Sequence, residues 1–136
     1  MDDIFISASP SSPEIDFRFK QHTLSLRGES YPENAAAFYT PLLDRVRAYL
    51  GTCTLATITV NVSLAYFNSS STKMLFSLFD ILNCAALASN HVRLNWFHDE
   101  DNVTLFEFGR ALQDDFGALD FADHPLASEQ DCHAGA

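Results

Sequence analysis

Thr57-Ile58-Thr59-Val60-Asn61-Val62-Ser63-Leu64-Ala65-Tyr66 alternates without a break. Ile58, Val60, Val62, Leu64 and Tyr66 fall on one side, and Thr57, Thr59, Asn61, Ser63 and Ala65 on the other, the period-two mark of a strand with one buried face. The pattern predicts a strand over 55–67. Directly after it, Asn68-Ser69-Ser70-Ser71-Thr72-Lys73 opens a segment in which Met74, Leu75, Leu78, Phe79, Leu82 and Ala86 recur at helical spacing. Residues 91–97 alternate again, with Val92, Leu94 and Trp96 opposite His91, Arg93 and Asn95. Strand, amphipathic helix and strand make a βαβ unit, which requires parallel neighbours joined by a right-handed crossover.

Upstream, residues 14–19 alternate through Ile15, Phe17 and Phe19, and residues 23–28 through Leu24 and Leu26. The short Lys20-Gln21-His22 link predicts a hairpin, with Gly28 ending its second strand. Pro32 suits the first turn of a helix, with Glu33 placing an acid where the helix dipole favours it. Phe38, Leu42, Leu43, Val46, Tyr49 and Leu50 supply the apolar stripe of that helix, which Gly51 stops. Pro41 predicts a kink within it or the start of a second helix. Downstream, Asp99-Glu100-Asp101 precede a last helix through Leu105, Phe108, Leu112 and Phe116.

Each of the four main strands has one apolar and one polar or small face, so helices are expected to cover a single face. The expected fold is an α/β two-layer sandwich with a mixed, mostly parallel sheet and its helices on one side. Periodicity fades from Gly117, which gives one domain over 1–126 and a loose tail over 127–136.

Net charge is −10 with a pI near 4.6, which disfavours nonspecific attraction to nucleic acid or an anionic membrane. No apolar run is long enough to span a bilayer, and Met1-Asp2-Asp3 is no secretory leader, so a cytoplasmic location is expected without membrane insertion. Cys53, Cys84 and Cys132 have neither disulfide-framework nor zinc spacing. The sequons at Asn61, Asn68 and Asn102 lie in or beside regular elements and read as chance matches. His22, His91, His98, His124 and His133 lack metal-ligand spacing and read as isolated surface residues, and Asp99, Glu100 and Asp101 read as a solvated loop. Neither a metal nor another cofactor is expected.

The four hydroxyls Ser69, Ser70, Ser71 and Thr72 therefore carry the functional reading. They stand at a helix N-terminus, the backbone site predisposed to receive negative charge, where phosphorylation is chemically natural. The simpler reading makes Asn68 or Ser69 an N-cap worth about 1 kcal/mol. Both readings hold together if different residues serve each.

Ser9-Pro10-Ser11-Ser12-Pro13-Glu14-Ile15, Gly28-Glu29-Ser30-Tyr31-Pro32-Glu33-Asn34 and Tyr66-Phe67-Asn68-Ser69-Ser70-Ser71-Thr72-Lys73 together resemble the SiaC family of bacterial regulatory phosphoproteins, in order and spacing over roughly residues 4–116. The resemblance implies a non-enzymatic partner switch whose phosphorylation is set by a cognate protein kinase and an opposing PP2C-type phosphatase. Unphosphorylated, such a protein binds and activates a diguanylate cyclase, raising cyclic di-GMP and promoting biofilm formation or aggregation. The family's acceptor, commonly a Thr directly after the YFN triplet, corresponds to Ser69, preferred here over Ser70, Ser71 and Thr72. Glu29, Tyr31, Glu33, Asn68, Ser70 and Lys73 are the expected partner-binding surface, because ends of parallel strands converge where partners bind. The layout also resembles STAS-type anti-sigma factor antagonists, in architecture and switch position only.

Two other functions compete. A constitutive structural adaptor would use the polar sheet face of Thr57, Thr59, Asn61 and Ser63. A small serine hydrolase would pair Ser69 or Ser70 with a histidine and an acid such as Asp99, without G-x-S-x-G or a glycine-rich oxyanion turn to support it.

Overall fold

A computed structural model describes residues 2–127. The chain runs β1 (Ile4–Ile6), β2 (Glu14–Arg18), β3 (Thr23–Ser30), α1 (Ala35–Leu50), β4 (Thr57–Phe67), α2 (Ser69–Leu87), β5 (His91–Asp99), α3 (Val103–Asp115) and β6 (Asp120–Leu126). The strands form one sheet in sequence order; β1–β2 and β2–β3 are antiparallel and the remaining three pairs parallel. Three successive crossovers of the usual right hand, all stepping the same way across the sheet, stack α1, α2 and α3 on one face. The expected two-layer α/β sandwich with a mixed, mostly parallel sheet is the observed fold.

The core lies between that face and the helices. Ile15, Phe17, Leu24, Leu26, Ile58, Val60, Val62, Leu64, Val92, Leu94 and Trp96 are buried on the sheet, against Tyr39, Leu42, Val46, Leu75, Phe79 and Leu82 of the helices. The opposite face is polar. There the side chains of Ser25, Asn61, Asn95 and His124 are linked in a row across β3 to β6, with Asn61 Nδ2 donating to Ser25 Oγ, Asn95 Nδ2 donating to Asn61 Oδ1, and His124 Nε2 2.9 Å from Asn95 Oδ1.

Several boundaries differ from the pattern. Two strands are added to the four expected. β1 is only three residues long, with Phe5 exposed. β6 lacks apolar alternation because its polar side chains are held by β5: Asp120 by Arg93 and His91, Asp123 by His98. Helix α1 starts at Ala35, not at Pro32; Asn34 is its cap, its side chain accepting from Ala37 N–H at 3.1 Å. Pro41 lies on its exposed side, and the helix runs through it to Leu50. Gly28 does not end β3, which continues to Ser30; its φ of +117° places it in backbone space that side chains disfavour. His98 is not a surface residue. Its ring is enclosed, with Nε2 2.8 Å from Asp123 Oδ1 and Nδ1 3.0 Å from the Asp99 carbonyl oxygen. Of the tail expected over 127–136, all but Ala127 lies outside the described residues.

At the end of β4 the register with β3 slips. Gly28 faces Leu64 and Glu29 faces Tyr66, so Ala65 is an extra residue and the side-chain alternation inverts. Tyr66, expected in the core, is 51% exposed, while Phe67 turns inward against Trp96 and Phe108.

Trp96 is the centre of that aromatic cluster. It stacks on Phe108 and donates its Nε1–H to the Leu105 carbonyl at 3.0 Å. Gly109 lets α3 approach it, since a Cβ there would lie 2.7 Å from Trp96 Cδ1. Alanine gains about 1 kcal/mol over glycine in helix propensity, but overpacking against an immobile ring costs about 1–3 kcal/mol. Gly109→Ala is therefore expected to lower the denaturation midpoint despite the better helix former, measured by urea unfolding followed by circular dichroism.

Candidate functional site

The hydroxyl run sits where β4, bent by its bulge, hands over to α2. Asn68 is the N-cap of α2, with extended backbone and its side-chain oxygen accepting from Ser71 N–H at 2.9 Å. Its carbonyl accepts from Thr72 N–H at 2.9 Å and from the Thr72 hydroxyl at 3.0 Å. Its own N–H donates to the Ser30 carbonyl, which ties the start of α2 to the end of β3. Ser69 is thus the first helical residue and Ser70 the second, and their N–H groups have no acceptor within the helix.

One helical turn sorts the four hydroxyls. Ser69 and Ser70 are exposed, Thr72 is half-buried, and Ser71 is fully buried. Inside the fold, Ser30 Oγ bonds the Tyr39 hydroxyl and, at 2.9 Å, the Ser71 hydroxyl. This small cluster joins β3, α1 and α2 beneath the capping turn. Burial pushes the Tyr39 phenol up to about 12, against the smaller opposing effect of its bond to Ser30. Sequence reasoning missed this trio; the readable signal was Ser30 at an inward position of β3 and Tyr39 beside Phe38 on the apolar stripe of α1.

The expected partner-binding residues surround the turn. Glu33, Ser70 and Lys73 line a groove of about 290 Å³ between the starts of α1 and α2. Tyr31 and Tyr66 pack edge to face with ring centres 5.7 Å apart, and Glu29 is the register partner of Tyr66. Glu29, Tyr31, Glu33, Ser70 and Lys73 are all exposed, whereas the Asn68 side chain is half-buried and engaged in capping. On the far side of Tyr66, a hollow of about 270 Å³ runs past Phe67 to Asn102, Thr104 and Leu105 at the start of α3.

The described histidines hydrogen-bond elsewhere: His22 with Tyr49, His91 with Asp120, His98 with Asp123 and His124 with Asn95. No set of three His, Cys, Asp or Glu among the described residues is arranged to hold a metal ion, and no described helix is long and apolar enough to cross a membrane.

Known proteins share this fold. An uncharacterized protein of Pseudomonas aeruginosa strain UCBPP-PA14 is 29% identical over 115 residues, covering 85% of this chain and 90% of its own. The crystal structure of apo-SiaC from P. aeruginosa superposes with a TM-score of 0.84 at 29% identity, covering 91% of this chain and 99% of that one. SiaC in the crystal structure of the diguanylate cyclase SiaD with its activator SiaC, also from P. aeruginosa, gives a TM-score of 0.85 at 27% identity, covering 91% and 100%. The model of the SiaC family of regulatory phosphoproteins matches residues 6–126, and the chain belongs to that family.

Proposed function

We propose that this chain is a non-enzymatic, phosphorylation-controlled regulator whose acceptor is Ser69 and whose unphosphorylated form binds and activates a diguanylate cyclase. The observation that carries the reading is the sorting of the hydroxyls: Ser69 is exposed at the first position of α2, while Asn68 performs the capping and Ser71 is locked inside. The family description and the relative crystallised with a cyclase supply the partner class. A cognate kinase would add the phosphate and a PP2C-type phosphatase would remove it.

A phosphate brings about −1.5 to −2 charges and three acceptor oxygens. The open N–H groups of Ser69 and Ser70 and the positive end of the helix dipole receive that charge, so the fold tolerates it. The consequence falls on the partner. An interface formed over Tyr31, Tyr66 and the α1–α2 groove would have to desolvate a dianion beside Glu29 and Glu33, with Lys73 the nearby cation. The polar sheet face is a weaker candidate for an adaptor surface, because Ser25, Asn61, Asn95 and His124 spend hydrogen bonds on one another. The engagement of the described histidines away from Ser69 and Ser70 likewise disfavours a serine hydrolase.

Ser69→Ala is expected to stay folded and bind the cyclase constitutively, and Ser69→Glu to bind at least tenfold more weakly; equal affinity of both with wild type, by calorimetric titration, contradicts the assignment. Asn68→Ala separates the cap from the acceptor. It should cost about 1 kcal/mol in urea unfolding, whereas Ser69→Ala should cost less than about 0.5 kcal/mol.

A further inference from the structure

The run Asn68-Ser69-Ser70-Ser71-Thr72 leaves the start of α2 ambiguous. Asn and Ser rank together as N-caps, so Ser69 could cap the helix as well as Asn68 does. The acceptor feels the difference. With Asn68 as cap, Ser69 is the first helical residue and its exposed hydroxyl takes no part in capping. With Ser69 as cap, the same geometry one residue on would aim its side-chain oxygen at the Thr72 N–H and free the Ser71 N–H, which Asn68 holds at 2.9 Å. Ser30 of β3 meets both ends of this short segment. Its carbonyl accepts from Asn68 N–H at 3.1 Å, and its hydroxyl donates to the Ser71 hydroxyl at 2.9 Å. Having given its proton to Ser71, Ser30 Oγ accepts from the Tyr39 hydroxyl of α1. Ser30, Tyr39 and Ser71 are all buried, where a hydroxyl that loses its partner has no water to replace it.

We infer that Ser30 is a positioning residue for the acceptor: by holding Asn68 and Ser71 at once, it fixes the start of α2 and keeps Ser69 out of the cap. The reason is length. A helical residue advances the chain by about 1.5 Å and an extended one by about 3.3 Å, so drawing Ser69 out of the helix to serve as cap would lengthen the segment by about 2 Å. Bonds of 3.1 and 2.9 Å to one residue cannot both survive that displacement. Leu75 and Leu78 hold the body of α2 in the core, which leaves its first turn to the clamp. Tyr39 orients the Ser30 hydroxyl toward Ser71 and ties the clamp to α1. The inference rests on the Ser69 reading above and adds what decides among the neighbouring hydroxyls, a residue of β3 distant from them in sequence.

The test combines amide hydrogen exchange by NMR on the full chain with peptide mass spectrometry after incubation with ATP and the purified cognate kinase of the same cell. Ser30→Ala and Ser71→Ala remove the same bond from either end, and Ser71→Ala does so with a better helix former. Val92→Ala opens buried volume at the opposite end of the sheet, beside Ile58, as a control for lost stability alone. In both clamp variants the residue-71 amide should exchange at least about fivefold faster than in wild type and the control, and phosphate transfer to Ser69 should fall about tenfold in kcat/KM, with Ser70 taking a larger share. Val92→Ala should keep the wild-type site. If Ser71→Ala matches wild type in exchange and in Ser69 phosphorylation, the clamp is overturned and the Ser69 reading stands. Wild-type chain that takes phosphate on another residue, or on none, overturns both.

Discussion

Ala65 is one residue too many for the β3–β4 ladder, and the geometry of the hydroxyl turn follows from how the sheet absorbs it. Gly28, with its positive φ, stands opposite Leu64 where the slip occurs, and the last residues of β4 then exchange faces. Phe67 goes in and closes the aromatic cluster with Trp96 and Phe108. Tyr66 goes out and meets Tyr31. Without the slip, alternation would bury Tyr66 and expose Phe67, and Asn68 would leave the sheet from the wrong face to cap a helix lying over the core. The bulge therefore connects strand packing, aromatic exposure and the placement of the hydroxyl turn.

The capping turn then converts four chemically similar residues into four different environments. Helical geometry rotates successive side chains by about 100°, so a contiguous hydroxyl run cannot point all its oxygens one way. Ser71 faces the core and would be a buried polar group without partners, were Ser30 and Tyr39 not there to bond it. Thr72 folds back on the Asn68 carbonyl. Ser69 and Ser70 face solvent beside open N–H groups. The fold itself thus sorts the four neighbouring hydroxyls by their access to solvent.

Much of this was legible in the sequence, for identifiable reasons. The strands with one apolar face, β2 to β5, announced themselves because burial on one side enforces alternation, and the helices between them set the parallel topology. The edge strands did not, since β6 is held by ion pairs and hydrogen bonds to β5 rather than by an apolar face, and β1 is too short for a pattern. The hydroxyl turn was visible as composition at a strand–helix junction. Which hydroxyl faces water was not, because that depends on the register at Ala65 and on Ser30 and Tyr39, which are distant in sequence. His98 was misplaced for a related reason: its position continues the buried parity of Val92, Leu94 and Trp96, but its partner Asp123 lies on a strand without an apolar signal.

The most direct measurement is intact-mass and peptide mass spectrometry on the protein recovered from its native host, before and after phosphatase treatment. A single phosphatase-sensitive phosphate on Ser69, with Ser71 unmodified, is the result this account predicts. Protein without phosphate across several growth states, or a phosphate on Ser71, would contradict it.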